Sequence, residues 1–168
     1  NKMIYMIGYS NFEPSQIKQI ADELHLPFDR RKNERLRGVP RMASLEIIVE
    51  DLPQKPSNME ELAARKNNIY VEMIRQVKPE DLLPGVGALL ARLKQNKILI
   101  GLGSSSKNAK AVLASLGIEH FFDAIIDGYG FKSAKPAPDV FLNGAALLKI
   151  PASACVVIED APSGIEAA

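Results

Sequence analysis

Three polar groups, far apart in the chain, each follow a short apolar run. Ile98-Leu99-Ile100-Gly101-Leu102 empties into Gly103-Ser104-Ser105-Ser106-Lys107-Asn108. Asp123-Ala124-Ile125-Ile126-Asp127 is followed by a loop holding Lys135, and Cys155-Val156-Val157-Ile158 runs straight into Glu159-Asp160. Hydroxyls, turn amides and a lysine suit phosphate oxygens. Adjacent carboxylates suit Mg²⁺, a hard cation that takes oxygen ligands and keeps part of its water. Together they describe a phosphoryl-transfer site. Each group also has a plainer reading. Ser106 or Asn108 caps the following helix while the other serines fill a tight turn, Lys135 is a solvated loop lysine, and Glu159-Asp160 before Pro162-Ser163-Gly164 is a turn whose acids favour a helix dipole. The chemical reading gains from position, because a parallel sheet gathers successive strand ends on one edge.

The elements that must position these groups follow from periodicity. Apolar runs without alternation read as strands buried on both faces. Residues 108–116 read as a helix with Ala111, Val112 and Leu116 on one face and Gly117 at its left-handed cap. Val86, Leu89, Leu90 and Leu93 mark a helix ending near Asn96, and residues 138–148 another with proline in its first turn. Repeated strand-helix units imply a doubly wound parallel α/β sheet. Ahead of them, residues 2–7 read as a short strand, 8–11 as a turn, and 12–78 as almost purely helical. Ile17, Ile20, Ala21 and Leu24 form one stripe and residues 31–37 a second helix. Met42, Leu45 and Val49 form the next stripe, within 41–50, and a long helix opens at a capping box, Ser57-Asn58-Met59-Glu60, and stops at Pro79. A helical block between a first strand and the remaining strand-helix units is most simply an inserted cap. The expected organisation is an altered first strand at 1–11, an all-helical cap at 12–80 and an α/β core at 81–168.

Composition narrows the partners. Hydrophobic residues make up 46% and charged residues 24%, which suits a packed core and argues against disorder. With 21 basic against 20 acidic residues there is no global attraction to nucleic acid or a membrane surface, so an anion site must be local. The single cysteine, Cys155, lies in an apolar run and suits a buried thiol in the cytoplasm. No run approaches the length of a signal core or membrane span, and a monomer is expected.

These residues carry a resemblance. Gly103-Ser104-Ser105-Ser106-Lys107-Asn108, Ser133-Ala134-Lys135-Pro136-Ala137-Pro138-Asp139 and Val157-Ile158-Glu159-Asp160-Ala161-Pro162-Ser163-Gly164 look like the second, third and fourth motifs of the haloacid dehalogenase superfamily, with its Rossmann-like core. In the helical block, Lys18 to Leu24, Asn33-Glu34-Arg35-Leu36-Arg37-Gly38-Val39-Pro40-Arg41 and Ala64-Arg65-Lys66-Asn67 resemble the cap of the β-phosphoglucomutase-like subgroup. The resemblance implies that Ser104 holds the transferring phosphoryl group, Lys135 balances its charge, and Glu159 and Asp160 bind or orient Mg²⁺. Arg41 would grip a sugar's distal phosphate with Lys66 and the stretch Arg37, Gly38 and Val39, while Ser105, Ser106, Lys107 and Asn108 line the sugar side of the cleft. The implied reaction interconverts β-glucose 1-phosphate and glucose 6-phosphate through a phosphoaspartyl enzyme and a bisphosphate intermediate. The alternatives are a phosphatase acting on sugar phosphates, a sugar-phosphate-binding remnant, and ordinary surface charge at Arg41 and Lys66.

One motif departs from the pattern. The superfamily's first strand ends in Asp-x-Asp, nucleophile and acid-base, whereas residues 3–13 here read Met-Ile-Tyr-Met-Ile-Gly-Tyr-Ser-Asn-Phe-Glu and the first aspartate is Asp22. Ser10 or Glu13 would have to substitute. The expectation is therefore a truncated, mispredicted or degenerate copy, incomplete at both ends of its core, with unpaired sheet edges, reduced stability and no turnover.

Overall fold

The structure, a computed structural model, describes residues 3–6, 18, 21–36 and 39–168. Four parallel strands, β1 (Met3–Met6), β2 (Leu99–Gly103), β3 (Ala124–Ile126) and β4 (Cys155–Ile158), form one sheet in the order β3-β2-β1-β4. The opening segment forms the strand expected at 2–7. It is a central strand, with Met3 in register with Leu99 on one side and Cys155 on the other, and Met6 opposite Ile158.

Helices cover both faces. α4 (Val86–Gln95) and α5 (Ala109–Ser115) pack Leu90, Leu93, Ala109 and Leu113 against Ile100 and Leu102. On the opposite face α6 (Asp139–Leu147) and α7 (Pro162–Ala167) pack Val140, Phe141, Ala145 and Ala167 against Ile126. Neighbours Ile125 and Ile126 join different clusters, as strand alternation requires. The helical block has a core of its own. α1 (Arg30–Arg35), α2 (Arg41–Val49) and α3 (Met59–Gln76) surround Ala21, Leu45, Ile48, Val49, Leu62 and Ala63. Among the described residues between 21 and 78 there is no strand, and no described helix is long and apolar enough to cross a membrane.

Several sequence expectations shift. The capping box at Ser57 does not form. Asn58 is the N-cap of α3, without a side-chain cap bond, which moves the third helical position to Glu61, and the Asn58 amide reaches that carboxylate at 3.5 Å. Met42 is 42% exposed, because α2 turns Ser44, Leu45, Ile48 and Val49 inward instead. α5 buries Ala109 and Leu113 rather than Ala111, and Gly117, at φ +69°, ends it as expected. β4 is not buried on both faces. At the sheet edge it alternates, with Val156 49% and Ile158 44% exposed, so Cys155 is half-buried, its thiol pKa raised by burial. The stripe at 17–24 is described only at 18 and from 21 onward. The turn at 8–11, with Ser10, and Glu13, Arg37 and Gly38 lie outside the described residues.

Candidate active site

The carboxyl ends of β2, β3 and β4 converge as the parallel topology demands. Ser104 prolongs the ladder, its amide donating to Ile126 O at 2.8 Å, before the chain turns. Within the turn, Ser104 Oγ accepts from the Ser106 amide and Ser106 Oγ accepts from the Asn108 amide, both at 3.1 Å. The plainer reading of these serines is therefore true in part: they brace a turn. Each spends a lone pair doing so and keeps its hydroxyl hydrogen to donate. Ser105 Oγ is buried with no hydrogen-bond partner in the structure. Gly128, in the loop after β3, donates its amide to Ser106 O at 3.0 Å and lies so close that a Cβ there would stand 2.7 Å from Ser105 O. Beside it Tyr129 lies under Lys107, whose Nζ is 4.6 Å from the ring centre.

Lys135 is not a solvated loop lysine. Its Nζ pairs with Glu159 Oε2 at 2.8 Å, the two side chains being 1% and 2% exposed, and donates to Gly103 O at 3.3 Å, one residue before Ser104. The Phe141 ring centre lies 4.8 Å away. Burial lowers the lysine's pKa, and the Glu159 hydrogen bond with the Glu159 and Asp160 charges pulls against it. Two of three ammonium hydrogens are thereby accounted for. Glu159 Oε1 accepts from the Ala161 amide at 3.0 Å, so both carboxylate oxygens are held. Gly164 of α7 closes over this carboxylate, and a Cβ there would run into it. Asp160, by contrast, is exposed at the sheet edge, just past the β4 residue that faces the last described residue of β1.

A second cationic pair sits on the helical block. Lys66 Nζ donates to Ser44 Oγ at 2.8 Å, and Arg41 donates to Asn67 Oδ1 at 2.7 Å. Among the described residues neither cation pairs with a carboxylate. Burial, then the neighbouring Arg41 charge, push the Lys66 pKa down to about 8. The two blocks meet here, since Asn108, at the start of α5, also donates to Asn67 Oδ1, at 2.9 Å. Of the residues flagged in the sequence, Ser104, Ser105, Ser106, Lys107, Asn108, Lys135 and Glu159 gather around one turn, with Asp160 next to Glu159 on the neighbouring strand end. Arg41 and Lys66 gather on the facing helices and Val39 precedes them. Ser44, Asn67, Gly128 and Gly164 were missed. Asn67, beside Lys66, and Gly164, at the end of the Glu159-Asp160 segment, both stood in quoted motifs; Ser44 and Gly128 left no signal.

This arrangement, a parallel sheet whose strand ends carry serine, lysine and paired acids beneath a helical block, defines a phosphate-handling enzyme class. The family model for haloacid dehalogenase-like hydrolases matches residues 12–168, and the chain belongs to that family. Within it the chain is β-phosphoglucomutase-like. It is 47% identical over 154 residues to a β-phosphoglucomutase of Bacillus subtilis, covering 89% of this chain and 68% of that protein. It is 34% identical to the fructose-1-phosphate phosphatase YqaB of Escherichia coli, covering 90% and 79%. A β-phosphoglucomutase structure from Clostridium difficile superposes with a TM-score of 0.86 at 36% identity, covering 99% of this chain and 78% of that one.

Proposed function

We propose that this chain holds a phosphorylated hexose between two anion sites, the Ser104–Lys135 turn on the sheet and the Arg41–Lys66 pair on the helical cap, and that it does so without turning the sugar over. The observation that carries the reading is the Lys135–Glu159 pair, buried and fixed from three sides beside the serine turn. A lysine so held offers its remaining N–H to an anion without reorganising, which is how a site gains from fixed charge. Ser104, Ser105 and the turn amides share the phosphoryl oxygens, Ser106, Lys107 and Asn108 line the sugar side, and Arg41 and Lys66 take the distal phosphate with the stretch Arg37, Gly38 and Val39.

Magnesium suits the donor set in a limited way. The described residues hold no group of three potential metal ligands. Mg²⁺ is commonly bound by one or two carboxylates with substrate phosphate and water completing its shell. Asp160 would hold the ion and Glu159 would orient the edge around it; when bound, the ion supplies neutralising charge for phosphoryl oxygens. The family resemblance implies transfer of a phosphoryl group to a nucleophilic aspartate, and residues 1–21 of this sequence contain no aspartate. With no aspartate there, only Ser10 or Glu13 is left to take that place, and the reading is that binding persists while transfer fails. A monomer in the cytoplasm, away from nucleic acid and membrane, goes with this reading.

Calorimetric titration with glucose 6-phosphate and Mg²⁺ tests it. Binding is expected in the wild type and a loss of about tenfold or more in Arg41→Ala, the cost of a charge-assisted contact; wild type that takes up no heat contradicts the reading. The Lys66 pKa of about 8 gives a further expectation. A bound phosphate favours the ammonium form, so at pH 8 binding takes up protons at Lys66, whereas at pH 6 that lysine is already protonated and takes up none. Affinity falls as pH rises above 8. The folded protein binds fewer protons at this group than the unfolded chain between about pH 8 and the ordinary lysine value of 10.5, so its contribution to stability rises with pH across that window. Titrations in buffers of different ionisation heat read the proton uptake. Uptake equal at both pH values, or identical in Lys66→Met, excludes Lys66 as the source.

A further inference from the structure

The Asn67 side chain hydrogen-bonds to both halves of the candidate site. Its Oδ1 accepts from Arg41 on α2, at 2.7 Å, and from Asn108 at the start of α5, at 2.9 Å. An amide oxygen has two lone pairs, so this atom is fully used. The residue before it, Lys66, faces the same first turn of α2 through Ser44. Arg41, Lys66 and Asn67 therefore form a rigid cluster, and Asn108 belongs to the turn that Ser106 Oγ braces. One oxygen thus links the two anion sites, where α3 packs against α5.

We propose that Asn67 is a positioning residue that fixes the spacing of the two sites and so selects ligands by length: a hexose carrying anionic groups at both ends spans it, whereas a single phosphate needs only one site. This rests on the two-site reading above and adds to it a residue that need not touch ligand. An asparagine is suited to the task. It presents a neutral acceptor that leaves the Arg41 charge available, whereas an aspartate would neutralise it and an apolar residue would leave two donors unpaired.

The test compares Asn67→Ala and Asn67→Asp with wild type, titrating each with inorganic phosphate and with a hexose 1,6-bisphosphate. In Asn67→Ala the bisphosphate is expected to lose at least tenfold in affinity while inorganic phosphate changes less than threefold. Asn67→Asp is expected to weaken both, because it pairs with Arg41. Equal losses for the two ligands in Asn67→Ala, or none, overturn the proposal. A ligand-free measurement separates its failure from that of the two-site reading. Spin labels at exposed positions 54 and 149, in a Cys155→Ser background, report the distance between the helical block and the sheet. Asn67→Ala is expected to broaden that distance distribution, and an unchanged distribution contradicts the proposal whether or not the wild type binds the sugar.

Discussion

Glu159→Ala is expected to lower the stability of the folded protein by about 3–5 kcal/mol, the usual consequence of removing one partner from a buried ion pair. Lys135 and Glu159 are both almost wholly inaccessible, and once the carboxylate is gone Lys135 keeps Gly103 O, the face of Phe141 and the Asp160 charge. Desolvation already lowers its pKa; without Glu159 that pKa falls further, and the ammonium beside the serine turn loses the partner that fixes its position. Urea unfolding reads the stability, and phosphate titration reads the charge. The double variant Lys135→Met/Glu159→Leu separates the two. Replacing both ions by apolar groups of similar size is expected to restore stability to near wild type, while phosphate binding stays lost. A single variant that unfolds like wild type, or a double variant that still binds phosphate, contradicts the role given to this pair.

Gly164→Ala is expected to cost about 3 kcal/mol, the upper part of the range for overpacking. The new methyl group would collide with the Glu159 carboxyl, and that carboxyl has nowhere to retreat, because one oxygen is held by Lys135 and the other by the Ala161 amide. Either Glu159 leaves Lys135 or α7 moves off the sheet, and both outcomes reach the serine turn through Lys135. The substitution should therefore weaken phosphate binding as well as stability, although Gly164 touches no ligand. Denaturation midpoints and phosphate titrations on Gly164→Ala check this, and a variant equal to wild type in both would show that the close approach of α7 carries no constraint.

What was legible in the sequence is what depends on local pattern. The serine turn, Lys135 and the Glu159-Asp160 step each follow an apolar run, and parallel topology then brings such ends together without further information. What was illegible depends on partners distant in the chain. Nothing in the loop around Lys135 announces burial, because burial comes from Glu159 and Phe141. Ser44 breaks the apolar periodicity of α2, which draws the stripe through Met42; in the structure Ser44 is buried and meets Lys66. The box at Ser57 and its neighbour starting at Asn58 fit the same pattern one residue apart, and local spacing does not choose between them. The opening strand is legible at 2–7 although its motif departs from the family, because strand pairing depends on backbone and register, and Met3–Met6 pairs with both neighbours.

Phosphorus NMR of β-glucose 1-phosphate mixed with this protein and Mg²⁺ tests the central claim most directly. The account predicts that the sugar-phosphate resonance shifts or broadens with added protein, that Lys135→Met/Glu159→Leu abolishes the change, and that neither glucose 6-phosphate nor inorganic phosphate accumulates. An unperturbed resonance would contradict the binding site, and the appearance of either product would show that a nucleophile acts after β1, with Ser10 and Glu13 the first residues to replace.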